Sequence, residues 1–121
     1  MSDKPIKLDR PDNPLDSNHI MMMLAIREER KRQLAKWGVQ RHPHGTGLAA
    51  AGAIMEQWKQ ICDSNNAAGM DDWLTIAAEE FFEVAVETDK RKLFDEVVQA
   101  AAVFTAWGES IIEEIKRENG K

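Results

Sequence analysis

The feature that most constrains the fold of this 121-residue chain is an apolar stretch near its C-terminal end. Residues 97–107 include only two polar side chains, those of Gln99 and Thr105. A helix that is apolar on all sides must be buried on more than one side. A buried carboxylate or amide without a partner is strongly destabilising. Glu96 and Gln99, at the start of the stretch, are therefore expected to meet polar groups of a neighbouring helix.

The rest of the sequence also predicts helices, since no segment shows the apolar–polar alternation of a β-strand. Ser17 or Asn18 is expected to cap the first helix, and Gly38 to end it. Asp71 is the predicted cap of the third helix, which follows a predicted loop at residues 63–70. The predicted helices are residues 18–37, 48–62, 72–88 and 91–117. Short connections between four helices predict an all-α fold, an antiparallel four-helix bundle completed by oligomerisation.

The N-terminal segment and the start of the first helix carry two further expectations. Residues 1–16 contain three of the four prolines, which favours an extended or disordered arm before a helical domain of residues 17–121. Residues 21–23 are three consecutive methionines, and methionine-rich surfaces often contact another subunit. We therefore expect a homodimer or a homotetramer.

The net charge excludes some classes of binding partner, and the cysteine content indicates the cellular compartment. Lys and Arg number 16 against 21 Asp and Glu, a net charge of −5, which argues against binding to nucleic-acid polymers or anionic lipids. No segment has the roughly 18 consecutive apolar residues of a transmembrane helix, so no membrane association is expected. A single cysteine, Cys62, excludes an intrachain disulfide and favours a reducing, cytoplasmic location.

The predicted third helix carries a stripe of glutamates on the side opposite Phe81. These glutamates lie one, three or four residues apart: Glu79, Glu80, Glu83 and Glu87. Like charges three or four residues apart destabilise a helix by about 0.2–0.5 kcal/mol per pair unless something neutralises them. The stripe is either a solvated face or, if the fourth helix packs against it, a cluster completed by Glu96 and Gln99. Crowded carboxylates raise one another's pKa values or bind a cation, and oxygen ligands favour Mg²⁺ or Mn²⁺.

These motifs follow one another in an order that resembles a known family. Residues 79–83 read Glu-Glu-Phe-Phe-Glu, and residues 96–99 read Glu-Val-Val-Gln. They are similar to the Glu-x-x-Glu and Glu-x-x-Asp motifs of the all-α nucleoside triphosphate pyrophosphohydrolases, the MazG-like superfamily. Three further segments resemble its phage and actinobacterial members: residues 28–40, 42–47 and 98–107. The resemblance covers residues 18–115, and its one departure is that Gln99 replaces the usual aspartate.

The resemblance implies a Mg²⁺-dependent enzyme, with Mn²⁺ as a substitute, that cleaves a (d)NTP or a related nucleotide to a monophosphate and pyrophosphate. The metal would orient water for attack at the α-phosphorus. The implied metal ligands are Glu80, Glu83, Glu96 and Gln99. The three glutamates are also catalytic residues by this resemblance, together with Glu79 as a base or a support for the ligands.

Other side chains are candidates for contacts with the nucleotide. Lys90, Arg91 and the adjacent Lys92 lie between the acidic motifs, where they either bind phosphate or form a solvated turn. Lys36 is a second candidate for phosphate, and Trp37 for stacking on the base. The loop that contains His42 and His44 is interpreted as a lid over the nucleotide or an ordered turn, in preference to a zinc site.

Two alternatives to the enzyme stay open. Gln99 lacks the charge of an aspartate, so the same fold could bind and sequester a nucleotide without cleaving it. A purely structural helical oligomer is the other alternative, in which the glutamates have no ligand.

Overall fold

The computed structural model describes residues 16–120, and these residues are all-helical. The helices are α1 (Ser17–Trp37), α2 (Ala49–Ala67), α3 (Trp73–Val86) and α4 (Lys90–Asn119). No strand occurs within the described range, which confirms the all-α prediction. The predicted arm, apart from Asp16, lies outside the described residues.

Both ends of α1 are set by local hydrogen bonds. The Asp16 carboxylate accepts from the backbone N–H groups of Asn18 at 3.0 Å and His19 at 3.3 Å, so Asp16 is the N-cap and the prediction of Ser17 or Asn18 was wrong. Carboxylates satisfy the unpaired N–H groups of a first helical turn well. Gly38 ends the helix as predicted, with a φ of 68° and an N–H that donates to the carbonyl of Leu34.

The α2–α3 connection is shorter than the sequence indicated. α2 continues to Ala67, so most of the predicted loop at residues 63–70 is helical. The Met70 N–H donates to the carbonyl of Asn65 at 2.7 Å, and Gly69 adopts a φ of 69°, so the turn closes on the helix end itself. Asp72 caps α3 through a 2.7 Å bond from the Thr75 N–H, one residue after the predicted cap.

The chain divides into two compact units. The first comprises residues 16–41 and 105–120 of the described range, which hold α1 and the end of α4. The second comprises residues 42–104, which hold α2, α3 and the start of α4. In the second unit α2 packs against α3.

Polar contacts join α1 to α4 in the first unit. The buried Asn18 donates from Nδ2 to Oε2 of Glu113 at 2.8 Å. His19 Nδ1 lies 2.5 Å from Oε1 of Glu109, and Lys116 donates to Oγ of Ser17 at 3.1 Å. These contacts fix the first turn of α1 on the last turns of α4.

The described residues form only a small apolar core. Ala77 and Leu93 are its buried apolar side chains, and no large side chain in residues 16–120 is fully buried. Residues 97–107 were expected to be buried on more than one side, yet Val97 is 47% exposed and Val98 50% exposed in the single chain. None of the described helices is long and apolar enough to cross a membrane.

Candidate functional site

The second half of α3 is oriented with its acidic stripe inward. Phe81 is 56% exposed, whereas its glutamate neighbours on the other side of the helix are half-buried. The half-buried glutamates are Glu79, Glu80, Glu83 and Glu87. A solvated acidic face would have the opposite arrangement, because burying a carboxylate costs free energy and burying phenylalanine gains it.

The start of α4 brings Glu96 close to this stripe. Burial raises the pKa of Glu80 above its ordinary value, and the charges of Glu83 and Glu96 raise it further. Burial also raises the pKa of Glu96, with the charges of Glu83 and Glu87 adding to the effect. The structure therefore brings Glu80, Glu83 and Glu96 within electrostatic reach of one another, and we call these three residues the acidic cluster.

Glu80 is the least compensated member of the acidic cluster. Its Oε2 atom is buried and has no hydrogen-bond donor among the residues that the structure describes. A buried carboxylate oxygen in this situation either takes up a proton or binds a cation. The donor set consists of carboxylate oxygens, which is the chemistry that Mg²⁺ and Mn²⁺ prefer.

The described side chains are not arranged as a metal centre. Within residues 16–120, no group of three or more His, Cys, Asp or Glu side chains is positioned to hold a metal ion. The acidic cluster matches a divalent cation in the type of its donors and in its uncompensated charge, but not in the arrangement of its side chains. Its carboxylates would have to turn toward a common point to coordinate one.

Glu79 has a different neighbourhood from the acidic cluster. Its carboxylate accepts a hydrogen bond from the Cys62 thiol of α2. This hydrogen bond, with burial and the charge of Glu79 itself, raises the pKa of Cys62 to about 11. Glu79 therefore contributes to the contact between α2 and α3, and its role as a base stays a prediction.

The remaining predicted site residues are exposed. Gln99 is exposed on α4, and Lys90 and Arg91 are exposed in the first turn of that helix. Cations at a helix N-terminus oppose the helix dipole, so these side chains do not stabilise α4 and are accessible to an anion. In the first unit, the Lys36 ammonium lies 5.0 Å from the centre of the Trp37 ring, a cation–π contact.

The structure adds Glu87 and Gly47 to the surroundings of the cluster. Glu87 ends α3, and its charge raises the pKa of Glu96. The Gly47 N–H donates to the carbonyl of Ala85 at 2.8 Å, which attaches the loop before α2 to the end of α3. Glu87 was recognisable from its place in the glutamate stripe, but the Gly47 contact joins residues too distant in sequence to be predicted.

Comparison with known proteins does not identify a family for this chain. No protein-family model, curated protein or solved structure matches it. The function of the acidic cluster is therefore inferred from its own residues and from the resemblance of their motifs.

Proposed function

We propose that the chain is a Mg²⁺-dependent nucleotide pyrophosphohydrolase of the MazG-like type, which cleaves a (d)NTP or a related nucleotide to a monophosphate and pyrophosphate. A cytoplasmic location belongs to this proposal, since intracellular nucleotides are the substrates. The observation that carries it is the buried Oε2 of Glu80, which has no hydrogen-bond donor among the described residues and lies beside the charges of Glu83 and Glu96. A purely structural helix pair would gain stability by losing these charges, whereas a cation site requires them.

The acidic cluster would hold the metal, which supplies charge neutralisation for the triphosphate and orientation of water when it is bound. Without a cation, a chain of net charge −5 would repel a nucleoside triphosphate. Glu80, Glu83 and Glu96 are the proposed carboxylate ligands, and Gln99 is a proposed neutral ligand through its amide oxygen.

The other residues would bind the substrate and move a proton. Lys90 and Arg91, in the first turn of α4, are the proposed contacts to phosphate oxygens. Stacking of the base on Trp37 and a phosphate contact of Lys36 stay predictions from the sequence. The oxygen of a water molecule attacks the α-phosphorus, its proton passes to a carboxylate, for which Glu79 is the proposed base, and the bond to the bridging oxygen breaks to release pyrophosphate.

The test is release of pyrophosphate from a panel of nucleoside and deoxynucleoside triphosphates, with Mg²⁺ and with Mn²⁺. We expect turnover of at least one nucleotide, and a loss of at least about a hundredfold in Glu83→Gln. Glu114→Gln, an exposed glutamate of α4, is the matched control and should retain wild-type turnover. Absence of turnover across the panel with both metals would contradict the enzymatic proposal.

A sequestering, non-catalytic protein is the second candidate, and the neutral Gln99 favours it. It predicts tight nucleotide binding with the nucleotide recovered intact. Gln99→Asp would then add the missing charge and produce turnover. If the wild type already cleaves nucleotides, this candidate is excluded.

A further inference from the structure

The loop before α2 is held against α3 by a close backbone approach. Gly47 has a φ of 87°, and a Cβ atom placed on it would lie 2.6 Å from Cγ2 of Thr88. Any residue other than glycine at this position would therefore be strained and would also displace Thr88. Together with the bond from the Gly47 N–H to Ala85, this contact determines where residues 42–47, here called the strap, meet α3.

The attachment point of the strap lies close to one member of the acidic cluster. Ala85, which accepts the hydrogen bond from the Gly47 N–H, follows Glu83 by two residues on α3. The end of the strap therefore lies within one helical turn of Glu83, at the C-terminal end of α3. All of these residues belong to the second compact unit.

The strap has the chemistry that the acidic cluster lacks. The carboxylates can accept hydrogen bonds and hold a cation, but they cannot donate to phosphate oxygens. His42 and His44 are exposed imidazoles that can donate, and Thr46 is a half-buried hydroxyl among exposed neighbours. A phosphate chain bound through a cation to carboxylates needs such donors on its other side.

We propose that the strap is a wall of the nucleotide site, that His44 and Thr46 donate to the phosphate chain, and that Gly47 is the residue that positions them. This inference rests on the proposed function and adds the class of group that the strap contacts, a nucleotide phosphate. Gly47 is a positioning residue, because it acts through His44 and Thr46.

The test compares two glycine-to-alanine substitutions. Both place a side chain at a positive φ, but only one of them brings the added Cβ against Thr88. Gly47→Ala introduces both the left-handed strain and the clash with Thr88. Gly69→Ala, in the α2–α3 turn, introduces the same strain at a φ of 69° with open space around the added Cβ. Thr88→Ser, which removes Cγ2, should partly restore Gly47→Ala, and His44→Ala removes a donor without any folding defect, since the side chain is exposed.

The measurements are the Kd of a non-hydrolysable α,β-imido nucleoside triphosphate with Mn²⁺ by calorimetry, the Kd of Mn²⁺ alone, and kcat and KM. We expect Gly47→Ala and His44→Ala to raise the analogue Kd and the KM about tenfold, the effect of losing one or two hydrogen bonds to a charged group. Their kcat should change by less than about threefold, and Gly69→Ala should resemble the wild type. Binding of Mn²⁺ alone should be unchanged in every strap variant.

Two different results would overturn the inference. If the wild type binds Mn²⁺ and cleaves nucleotides while His44→Ala and Gly47→Ala bind the analogue as Gly69→Ala does, the strap has no role and the proposed function stands. If the wild type binds neither Mn²⁺ nor the analogue, the proposed function and the strap are both wrong.

Discussion

Glu80 lies in an environment that is unfavourable for the fold, and the proposed function requires its charge. Its carboxylate is desolvated, lies near like charges and has one oxygen without a donor in the described part of the chain. Each of these conditions disfavours the ionised form. Variants of Glu80 can therefore distinguish the loss of stability that its charge causes from the proposed binding of a cation by that charge.

Glu80→Gln should stabilise the metal-free protein at about pH 7 by about 0.5 kcal/mol, the size of a relieved pair of like charges on a helix. The sign follows from the raised pKa of Glu80. The ionised carboxylate costs stability as the pH rises from its ordinary pKa of 4.5 through the raised value, and below 4.5 both states are protonated. The advantage of Glu80→Gln should therefore disappear at about pH 4. Urea denaturation in EDTA at both pH values measures it.

Saturating Mn²⁺ should reverse the order of stability, because a ligand that binds only the folded protein stabilises it by mass action. The wild type should gain stability with Mn²⁺, and Glu80→Gln should gain less. Glu114→Gln is the control variant, both in the urea denaturation at the two pH values and in the response to Mn²⁺. An equal response of all three proteins to Mn²⁺ would exclude Glu80 as a ligand.

Cys62 should be an unreactive thiol, since its pKa of about 11 leaves very little thiolate at neutral pH. Relative to an ordinary pKa of 9.0, alkylation by iodoacetamide at about pH 8 should be about a hundredfold slower. Glu79→Gln removes the carboxylate that raises this pKa and should accelerate alkylation about tenfold. Glu83→Gln is the comparison, and equal rates in both variants would show that Glu79 does not contact Cys62.

At the scale of the helices, Asp72 should stabilise α3 as its N-cap. The bonds from Thr75 lower the pKa of Asp72, so its contribution to stability is present above the ordinary value of 3.8 and is lost as the pH falls through the lowered pKa. Asp72→Ala should lower the melting temperature at about pH 7 by roughly 4 °C. Asp71→Ala, at the neighbouring exposed position, should change it little. If thermal denaturation shows a larger loss of melting temperature for Asp71→Ala than for Asp72→Ala, then Asp71 is the cap, as the sequence predicted.

The elements were predictable because local signals place helices well. Gly38 ends α1 where its left-handed conformation predicts an end, and all four helices lie near their predicted positions. The errors lie at caps and ends, where adjacent acidic residues compete. The sequence predicted Asp71 as the cap, whereas in the structure the neighbouring Asp72 accepts the hydrogen bond from the Thr75 N–H.

The acidic cluster was predictable only in part, because local sequence signals place residues of one helix but not the contacts between helices. Spacing on one helix places Glu80 and Glu83 together. Glu96 was expected beside them because of the apolar stretch at residues 97–107, although Val97 and Val98 are half-exposed in the single chain. The bond between Cys62 and Glu79 depends instead on how α2 packs on α3. No local pattern contains that information, and the same is true of the approach of Gly47 to Thr88.

At the scale of the whole molecule, the main unexplained property is the amount of apolar surface on the single chain. Side chains on all four helices remain more than half exposed or nearly so: Leu24, Trp37, Ile61, Leu74, Phe81, Phe94 and Phe104. Singly exposed apolar residues are ordinary, but so many beside so small a core are not. A second copy of the chain is the proposed cover, as a homodimer or a homotetramer.

Self-association of this kind has a thermodynamic signature. Sedimentation equilibrium should give a mass of at least two chains, and the melting temperature should rise with protein concentration. Phe94 is 67% exposed in the single chain, so a monomer would tolerate Phe94→Asp. In an oligomer that buries it, the substitution should weaken association at least about tenfold, since burial of a phenylalanine contributes about 1.5–3 kcal/mol.

Glu118→Ala, at an exposed polar position, should leave the mass unchanged. A single-chain mass with a concentration-independent melting temperature would show that the exposed side chains have another function.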